Sequence, residues 1–230
     1  MTYPFHLHSG FSGGRSPRLR DSVANPPKVR LVNDEITRLL PALEGHFVFE
    51  SGHHGTRWLE LERLCYSPRP IRELATELAK RLSKYPVDMV CGPLVEGAFV
   101  ALFVAEALGV PFTYTERQVT TAAGLYPVEY RLPGTLRDAV RGKTVAIVND
   151  VINAGSAVRS TFADLQTCEA KPIAIGCLAV LGQWTIRFAE DHAIALETLA
   201  AFPTQLWTPA ACPLCAEGIP LTNHGEKIRD

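Results

Sequence analysis

Residues 144–161 read Thr-Val-Ala-Ile-Val-Asn-Asp-Val-Ile-Asn-Ala-Gly-Ser-Ala-Val-Arg-Ser-Thr. Val145 to Val148 make an unbroken apolar run, as expected of a strand buried on both faces of a parallel sheet. Asn149 and Asp150 stand where that strand is expected to end, and Asn153-Ala154-Gly155-Ser156 follows as a small, polar loop. A helix is predicted from there through Leu165, with the Ser156 hydroxyl as its cap. Small residues let a loop backbone approach an anion, and a helix N-terminus turns N–H groups and its positive dipole end on the same point. A phosphate fits there, with Asp150 placed to accept hydrogen bonds from the hydroxyls of an attached sugar. A buried strand–turn–helix unit with no ligand at all would have the same outline, so the flanking sequence has to discriminate.

On the N-terminal side, Pro70 to Lys84 is an amphipathic helix with Ile71, Leu74, Leu78 and Leu82 inward. Val87 to Cys91 reads as a short strand, and Gly92-Pro93-Leu94-Val95-Glu96-Gly97-Ala98 as a tight turn into an apolar helix ending at Leu108. Phe112 to Arg117 and Tyr126 to Leu132 look like strands, with a short helix or turn over Gly134 to Val140. On the C-terminal side, Pro172 to Leu181 and His192 to Leu199 read as further strands. Alternation of strands and helices from Pro70 to Leu181 predicts an α/β fold: a parallel sheet with helices on both faces and a site at the carboxyl ends of the strands.

The ends are less regular. Residues 1–30 are rich in Gly, Ser, Pro and Arg and read as a mobile or loosely docked arm, in which His6 and His8 are solvated. Asn33 is a plausible N-cap for a helix placing Ile36, Leu39, Leu40 and Leu43 on one face. Gly45 to His54 is a strand with a polar turn. The tail carries Cys212-Pro213-Leu214-Cys215, half of a zinc site. His224 is the nearby third candidate, and Cys65 or a second copy of the chain would have to complete four ligands; no metal is expected.

Lys and Arg total 23 against 24 Asp and Glu, so the net charge of −1 gives no general affinity for nucleic acid or anionic membrane. Any phosphate site must be local. At 230 residues, 47% hydrophobic and 20% charged, the chain has the balance of a soluble globule with one sizeable domain. No apolar run approaches a membrane span, and residues 1–30 lack the apolar centre of a signal peptide. Cys91 and Cys177 fall in strand-like runs and read as buried, reduced thiols, which points to the cytoplasm.

The 144–161 stretch resembles the phosphoribosyl-diphosphate (PRPP) signature of type I phosphoribosyltransferases: four apolar residues, an acidic pair, two apolar residues, then a Thr/Gly/Ser-rich phosphate loop. The turn from Gly92 to Gly97 is similar to that family's Gly-Pro-x-x-x-Gly turn. Within the family the orotate enzymes resemble this chain most. Phe47, Phe49, Ser51 and Gly52 fit their hood pattern Gly-x-Phe-x-Leu-x-Ser-Gly-Arg, and Arg117 matches the first residue of their Arg-Lys pair. Similar Cys-Pro-x-Cys tails occur in some bacterial members. The resemblance covers residues 33–220. It implies an arm over 1–30 and a phosphoribosyltransferase domain over 31–230, with a hood from 31–67 plus the tail and a core over 68–200.

The resemblance also implies a chemistry: transfer of ribose 5-phosphate from PRPP to a ring nitrogen of a base, orotate first, in pyrimidine nucleotide biosynthesis. Mg²⁺ would be bound mainly through PRPP, and the enzyme would be a cytoplasmic homodimer. Asn153, Ala154, Gly155 and Ser156 would hold the 5-phosphate, and Asn149 and Asp150 the ribose. Gly92, Pro93, Glu96 and Gly97, with Arg117, would meet the pyrophosphate, and Phe47 and Ser51 the base; Asp150 and Arg117 would be the catalytic residues. Departures are equally specific. Asn149 replaces the first acid, Glu50 and His53 stand where the family shows cations, and Gln118 replaces the lysine after Arg117. Val119 to Gly124 lacks the lysines and histidine of the family's mobile loop. Activity on orotate is therefore expected to be weak. The alternatives are a transferase for another base, or a PRPP-binding regulatory or partner protein with little catalysis.

Overall fold

The computed structural model describes residues 42–119 and 125–222. The expected arm over 1–30, the predicted helix before residue 42, His224 and most of the Val119–Gly124 loop lie outside them. Strand β6 (Thr144–Ile152) forms the spine of the molecule. It pairs in parallel with β3 (Met89–Pro93) on one side and β7 (Lys171–Leu181) on the other. Val145, Ala146, Ile147 and Val148 are all at 0% exposure, as a strand covered on both faces requires.

Successive side chains of a strand point to opposite faces, and the two cores follow that period. Ala146 and Val148 join one core with helices α2 (Pro68–Leu82) and α3 (Glu96–Leu108). Val145 and Ile147 join the other with α4 (Ser156–Thr167) and α5 (Trp184–Asp191). With β4 (Phe112–Val119), β5 (Val128–Arg131) and β8 (Ala195–Phe202), the sheet order is β5-β4-β3-β6-β7-β8. Every pairing is parallel except β4 with β5. The predicted architecture is the one observed. Ile71, Leu74, Leu78 and Leu82 are the buried stripe of α2, and Cys91 and Cys177 are free, buried thiols. Burial pushes the Cys177 thiol up to about 12, which keeps it protonated and inert.

A second, antiparallel sheet has the order β1-β2-β9, from β1 (Ala42–Val48), β2 (His54–Leu59) and β9 (Leu206–Trp207). A short helix α1 (Leu61–Tyr66) leads from it into the core domain. After β9 the chain makes a helical turn α6 (Pro213–Ala216) and returns to β1. There the Thr222 amide donates to the His46 carbonyl at 2.6 Å, and the His46 amide donates to Thr222 Oγ1 at 3.0 Å.

Four sequence expectations need correction. Leu43 lies on β1 and is exposed, so it is not part of a helical apolar face. Strand β6 does not end at Asn149; it runs to Ile152 because β7 continues beside it, pairing Val151 with Ala179 and Ile152 with Val180. Strand β8 begins at Ala195, since α5 closes at His192 and the chain turns through Ala193 at φ 52°. Finally, α4 is not capped by Ser156. Gly155, at φ 76°, is its N-cap residue, and no side chain caps it.

Candidate active site

At the carboxyl ends of β3 and β6 lies a cavity of about 260 Å³. Its floor is the β6–α4 connection. Asn149 and Asp150, both under 10% exposed, line it together with Asn153, Ala154, Gly155 and Ser156. Gly155 has a double constraint. Its φ of 76° is a conformation that side-chain-bearing residues rarely adopt, and a methyl group there would lie 1.8 Å from the Trp184 ring. The ring seals the loop from behind and leaves the uncapped helix N-terminus facing the cavity. Oδ1 of Asn153 is buried without a hydrogen-bond partner among the described residues, an unusual state for a polar atom.

The second wall is the β3–α3 turn, where the Leu94–Val95 peptide is cis. Pro93, Glu96 and Gly97 line the cavity. The Leu94 amide donates to the Thr115 carbonyl at 2.9 Å, which fastens the turn to β4. Gly97 is required by its neighbour across the floor, because a methyl group there would meet Asn149 Oδ1 at 2.0 Å. The Asn149 amide in turn donates to the Val151 carbonyl at 2.9 Å. Gly92 does not reach the cavity; a methyl group on it would sit 2.5 Å from Ala101 Cβ, so it lets α3 pack closely on β3.

The small sheet forms the roof. Phe49, Glu50 and Ser51 in the β1–β2 turn line the cavity with Trp58. The Phe49 and Trp58 rings are parallel to within 1°, with centroids 6.0 Å apart. Tyr126 joins roof to floor: its amide donates to the Ser51 carbonyl at 3.0 Å and its hydroxyl to the Ala154 carbonyl at 3.4 Å. The Arg159 guanidinium lies 4.2 Å from the centroid of the same ring. Phe47 is fully buried beneath the roof and does not reach the cavity.

Arg117 also stands behind the lining. Its Nε is 3.5 Å from Glu50 Oε2, and the Tyr130 hydroxyl donates to the same oxygen at 3.1 Å. Burial, then the Glu50 charge, drives the Tyr130 phenol well above its ordinary pKa, so it remains a donor. Burial, then the neighbouring His54, holds His53 below the usual histidine range. Among the described lining residues, Glu50, Glu96 and Asp150 are carboxylates and none is a cation. An anionic substrate therefore has to meet backbone N–H groups, neutral amides or a metal ion here.

Residues 59–193, more than half of the chain, match the phosphoribosyl transferase domain family. The chain belongs to the phosphoribosyltransferase family. It is thus a pentosyl-transferring enzyme of nucleotide metabolism. It is similar to the orotate phosphoribosyltransferase of Thermotoga maritima, with 28% identity over 188 residues covering 80% of this chain and 92% of that protein. The orotate phosphoribosyltransferase of Heliobacterium modesticaldum is 31% identical over 191 residues, 80% of this chain and 91% of that one. Among solved structures, adenine phosphoribosyltransferase from Thermoanaerobacter pseudethanolicus superposes with a TM-score of 0.56 at 19% identity, covering 73% of this chain and 98% of that one. Orotate phosphoribosyltransferase from Aeropyrum pernix gives 0.53 at 18% identity, with 70% and 88% covered. This likeness to phosphoribosyltransferases for different bases concerns the shared fold and leaves the base open.

Of the residues assigned to the site from the sequence of this phosphoribosyltransferase, ten line one cavity: Ser51, Pro93, Glu96, Gly97, Asn149, Asp150 and residues 153–156. Phe47, Gly92 and Arg117 lie behind it. Sequence reasoning missed Trp58, Tyr126, Tyr130 and Trp184. Tyr130 lies on a strand read correctly as one, whereas the strand that carries Trp58 was not read beyond His54; only the cross-strand register and the docking of the small sheet show that both reach the site. Nothing in the sequence pointed to Trp184.

Proposed function

We propose that this phosphoribosyltransferase moves ribose 5-phosphate from PRPP to a ring nitrogen of orotate and releases pyrophosphate, serving pyrimidine nucleotide synthesis. The supporting observation is that the loop 153–156 and the β3–α3 turn face one cavity under an aromatic roof. In this reading the N-terminus of α4 with Ser156 and the Asn153 amide takes the 5-phosphate, and Asp150 accepts hydrogen bonds from the ribose hydroxyls. The backbone of the β3–α3 turn lies on the side from which pyrophosphate departs. Phe49 and Trp58 offer flat apolar surface to the planar base, and Ser51 a polar contact at its edge.

The sugar passes through an oxocarbenium-like transition state, so rate comes from holding base and sugar in line and from neutralising the leaving group. Asp150 fixes the ribose and sets a negative charge near the positive charge that develops on it. The oxygen-rich lining, with Glu96, Asp150 and the unpartnered end of Asn153, fits Mg²⁺, which prefers oxygen ligands and keeps several waters. When bound with PRPP, Mg²⁺ supplies the positive charge that offsets the pyrophosphate. The enzyme is proposed to work in the cytoplasm as a homodimer.

Glu50 favours a second reading, a transferase for another base. Glu50, although partly offset by Arg117, gives the roof a carboxylate that favours a base presenting N–H groups over one presenting a carboxylate. Incubation of the protein with Mg-PRPP and a panel of bases, with pyrophosphate release as the readout, separates these. Turnover on orotate above the other bases supports the first reading, and preference for an amino-bearing base supports the second. PRPP binding without turnover on any base overturns both in favour of a binding protein.

A further inference from the structure

We propose that His46, His54, Cys212 and Cys215 form a structural zinc site that fastens the C-terminal tail to the β1–β2 hairpin. The sequence offered Cys212, Cys215 and His224 as candidates, with Cys65 or a second chain to complete the set. The fold supplies the missing ligands from elsewhere. One ligand atom from each of the four side chains lies within 4.8 Å of the other three. His46 is on β1 and His54 is on β2, while Cys212 immediately precedes α6 and Cys215 lies within it, Cys212 being 166 residues downstream of His46. The expectation of a metal-free tail counted only ligands near Cys212 and Cys215 in the chain, together with Cys65.

The distances match a metal centre. His46 Nε2 is 2.9 Å from His54 Nδ1, 3.4 Å from Cys212 Sγ and 3.7 Å from Cys215 Sγ, and Cys215 Sγ is 3.3 Å from His54 Nδ1. Tetrahedral zinc with Zn–N bonds of ~2.05 Å and Zn–S bonds of ~2.3 Å has edges of ~3.4 Å for N···N and ~3.6 Å for N···S. The nitrogen pair has to open by about half an ångström to admit the ion, and the N···S spacings already suit it.

The tautomer of His46 is also set for a metal. Its Nδ1 lies 2.8 Å from the Ile219 carbonyl, which can only accept, so Nδ1 carries the proton and Nε2 turns a bare lone pair into the cluster. Metal-bound histidines commonly have this outer contact, a backbone carbonyl on the second ring nitrogen. Two imidazoles and two thiols converging on one point are the donor set of zinc, not of Mg²⁺. Binding replaces the two thiol protons: both cysteines become thiolates, two protons leave, and the two thiolate charges balance the dication.

Such a site would also support the active-site roof. His46 and His54 bracket the turn that holds Phe49, Glu50 and Ser51, all three of which line the cavity. The same staple holds the tail that follows β9, the third strand of the small sheet. The proposal does not depend on which base the enzyme uses.

Elemental analysis of untagged, reduced protein purified without chelator tests it directly. The expected result is about one zinc ion per chain. A Cys212→Ser, Cys215→Ser double variant should lose the zinc, whereas Cys65→Ser should keep it. Should the double variant fail to fold, the wild-type protein still decides. Metal-free protein refilled with Co²⁺ should show the visible bands of tetrahedral cobalt and a thiolate-to-metal charge-transfer band, and its Tm should rise by several degrees on adding zinc. Wild-type protein without stoichiometric zinc and without that cobalt spectrum overturns the site. So does a disulfide between Cys212 and Cys215 in freshly purified protein, or full zinc retention in the double variant.

Discussion

At Gly155 a missing methyl group serves two purposes, and the second changes how the site should be probed. The sequence gives a glycine whose backbone can approach an anion; the structure adds a Trp184 ring where any Cβ would have to go. Gly155→Ala therefore combines a left-handed backbone with a clash, and about 3 kcal/mol of stability should be lost in urea denaturation. A loss below about 1 kcal/mol would mean that Trp184 swings aside freely. Because that variant disturbs packing, loss of ligand from it would say little about phosphate binding. Ser156 is the cleaner position. An aspartate in the first turn of a helix is favourable by up to about 1 kcal/mol, so Ser156→Asp should keep the melting temperature nearly unchanged. The same carboxylate would stand in the proposed 5-phosphate cradle, and PRPP affinity in calorimetry should fall at least tenfold (about 1.4 kcal/mol). Undiminished affinity would remove the cradle from the loop 153–156.

At the level of elements, the joint between the end of α2 and β8 should respond to alkaline pH. The Tyr85 hydroxyl donates to Glu197 Oε1 at 2.7 Å, and burial, then the Glu197 contact, raise the Tyr85 phenol to about 12. A folded pKa raised above the unfolded value of ~10 contributes stability that is fully present below that value and is lost as pH rises through the folded one. Denaturant midpoints should accordingly fall between pH ~10 and ~12, and Tyr85→Phe should make that fall shallower. An identical slope in the variant would place the titration elsewhere. The elements themselves were legible in the sequence to unequal degrees. β6, α2 and α4 were readable because each carries an apolar pattern of one period, although the end of β6 and the cap of α4 were misplaced, and Asn149, Asp150 and the loop 153–156 came with them. Local pattern failed where the structure depends on distant partners. Leu43 suited a helical face until β2 paired with its strand, and the two residues of β9 carry no signal of their own. The cavity roof was legible at Ser51, but Trp58 and the cluster of His46, His54, Cys212 and Cys215 needed the tertiary fold to bring them together.

For the whole molecule, α3 poses a question that the isolated chain leaves unanswered. Its sequence, Glu-Gly-Ala-Phe-Val-Ala-Leu-Phe-Val-Ala-Glu-Ala-Leu, carries charge only at Glu96 and Glu106. Gly97, Ala98, Val100, Ala101, Val104 and Ala105 face the core, yet Phe99 and Leu102 on the outer side are 44% and 47% exposed, with Val95 beside them at 55%. A helix that is apolar all round is normally buried on every side, and a contiguous exposed apolar patch on a soluble protein marks an interaction surface. Here the patch adjoins the turn that lines the cavity, so a second copy of the chain seated on it would shield α3 and buttress the wall proposed for pyrophosphate. We expect a solution mass of twice 25.2 kDa by light scattering. Phe99→Arg combined with Leu102→Glu should lower that mass to one chain while leaving the helical circular dichroism intact, since neither side chain contributes to the core. The charged pair should also weaken turnover more than PRPP affinity, because the wall it loosens faces the leaving group. A wild-type monomer at working concentration, or an unchanged dimer in the charged variant, would show that α3 is not the surface through which the chain pairs.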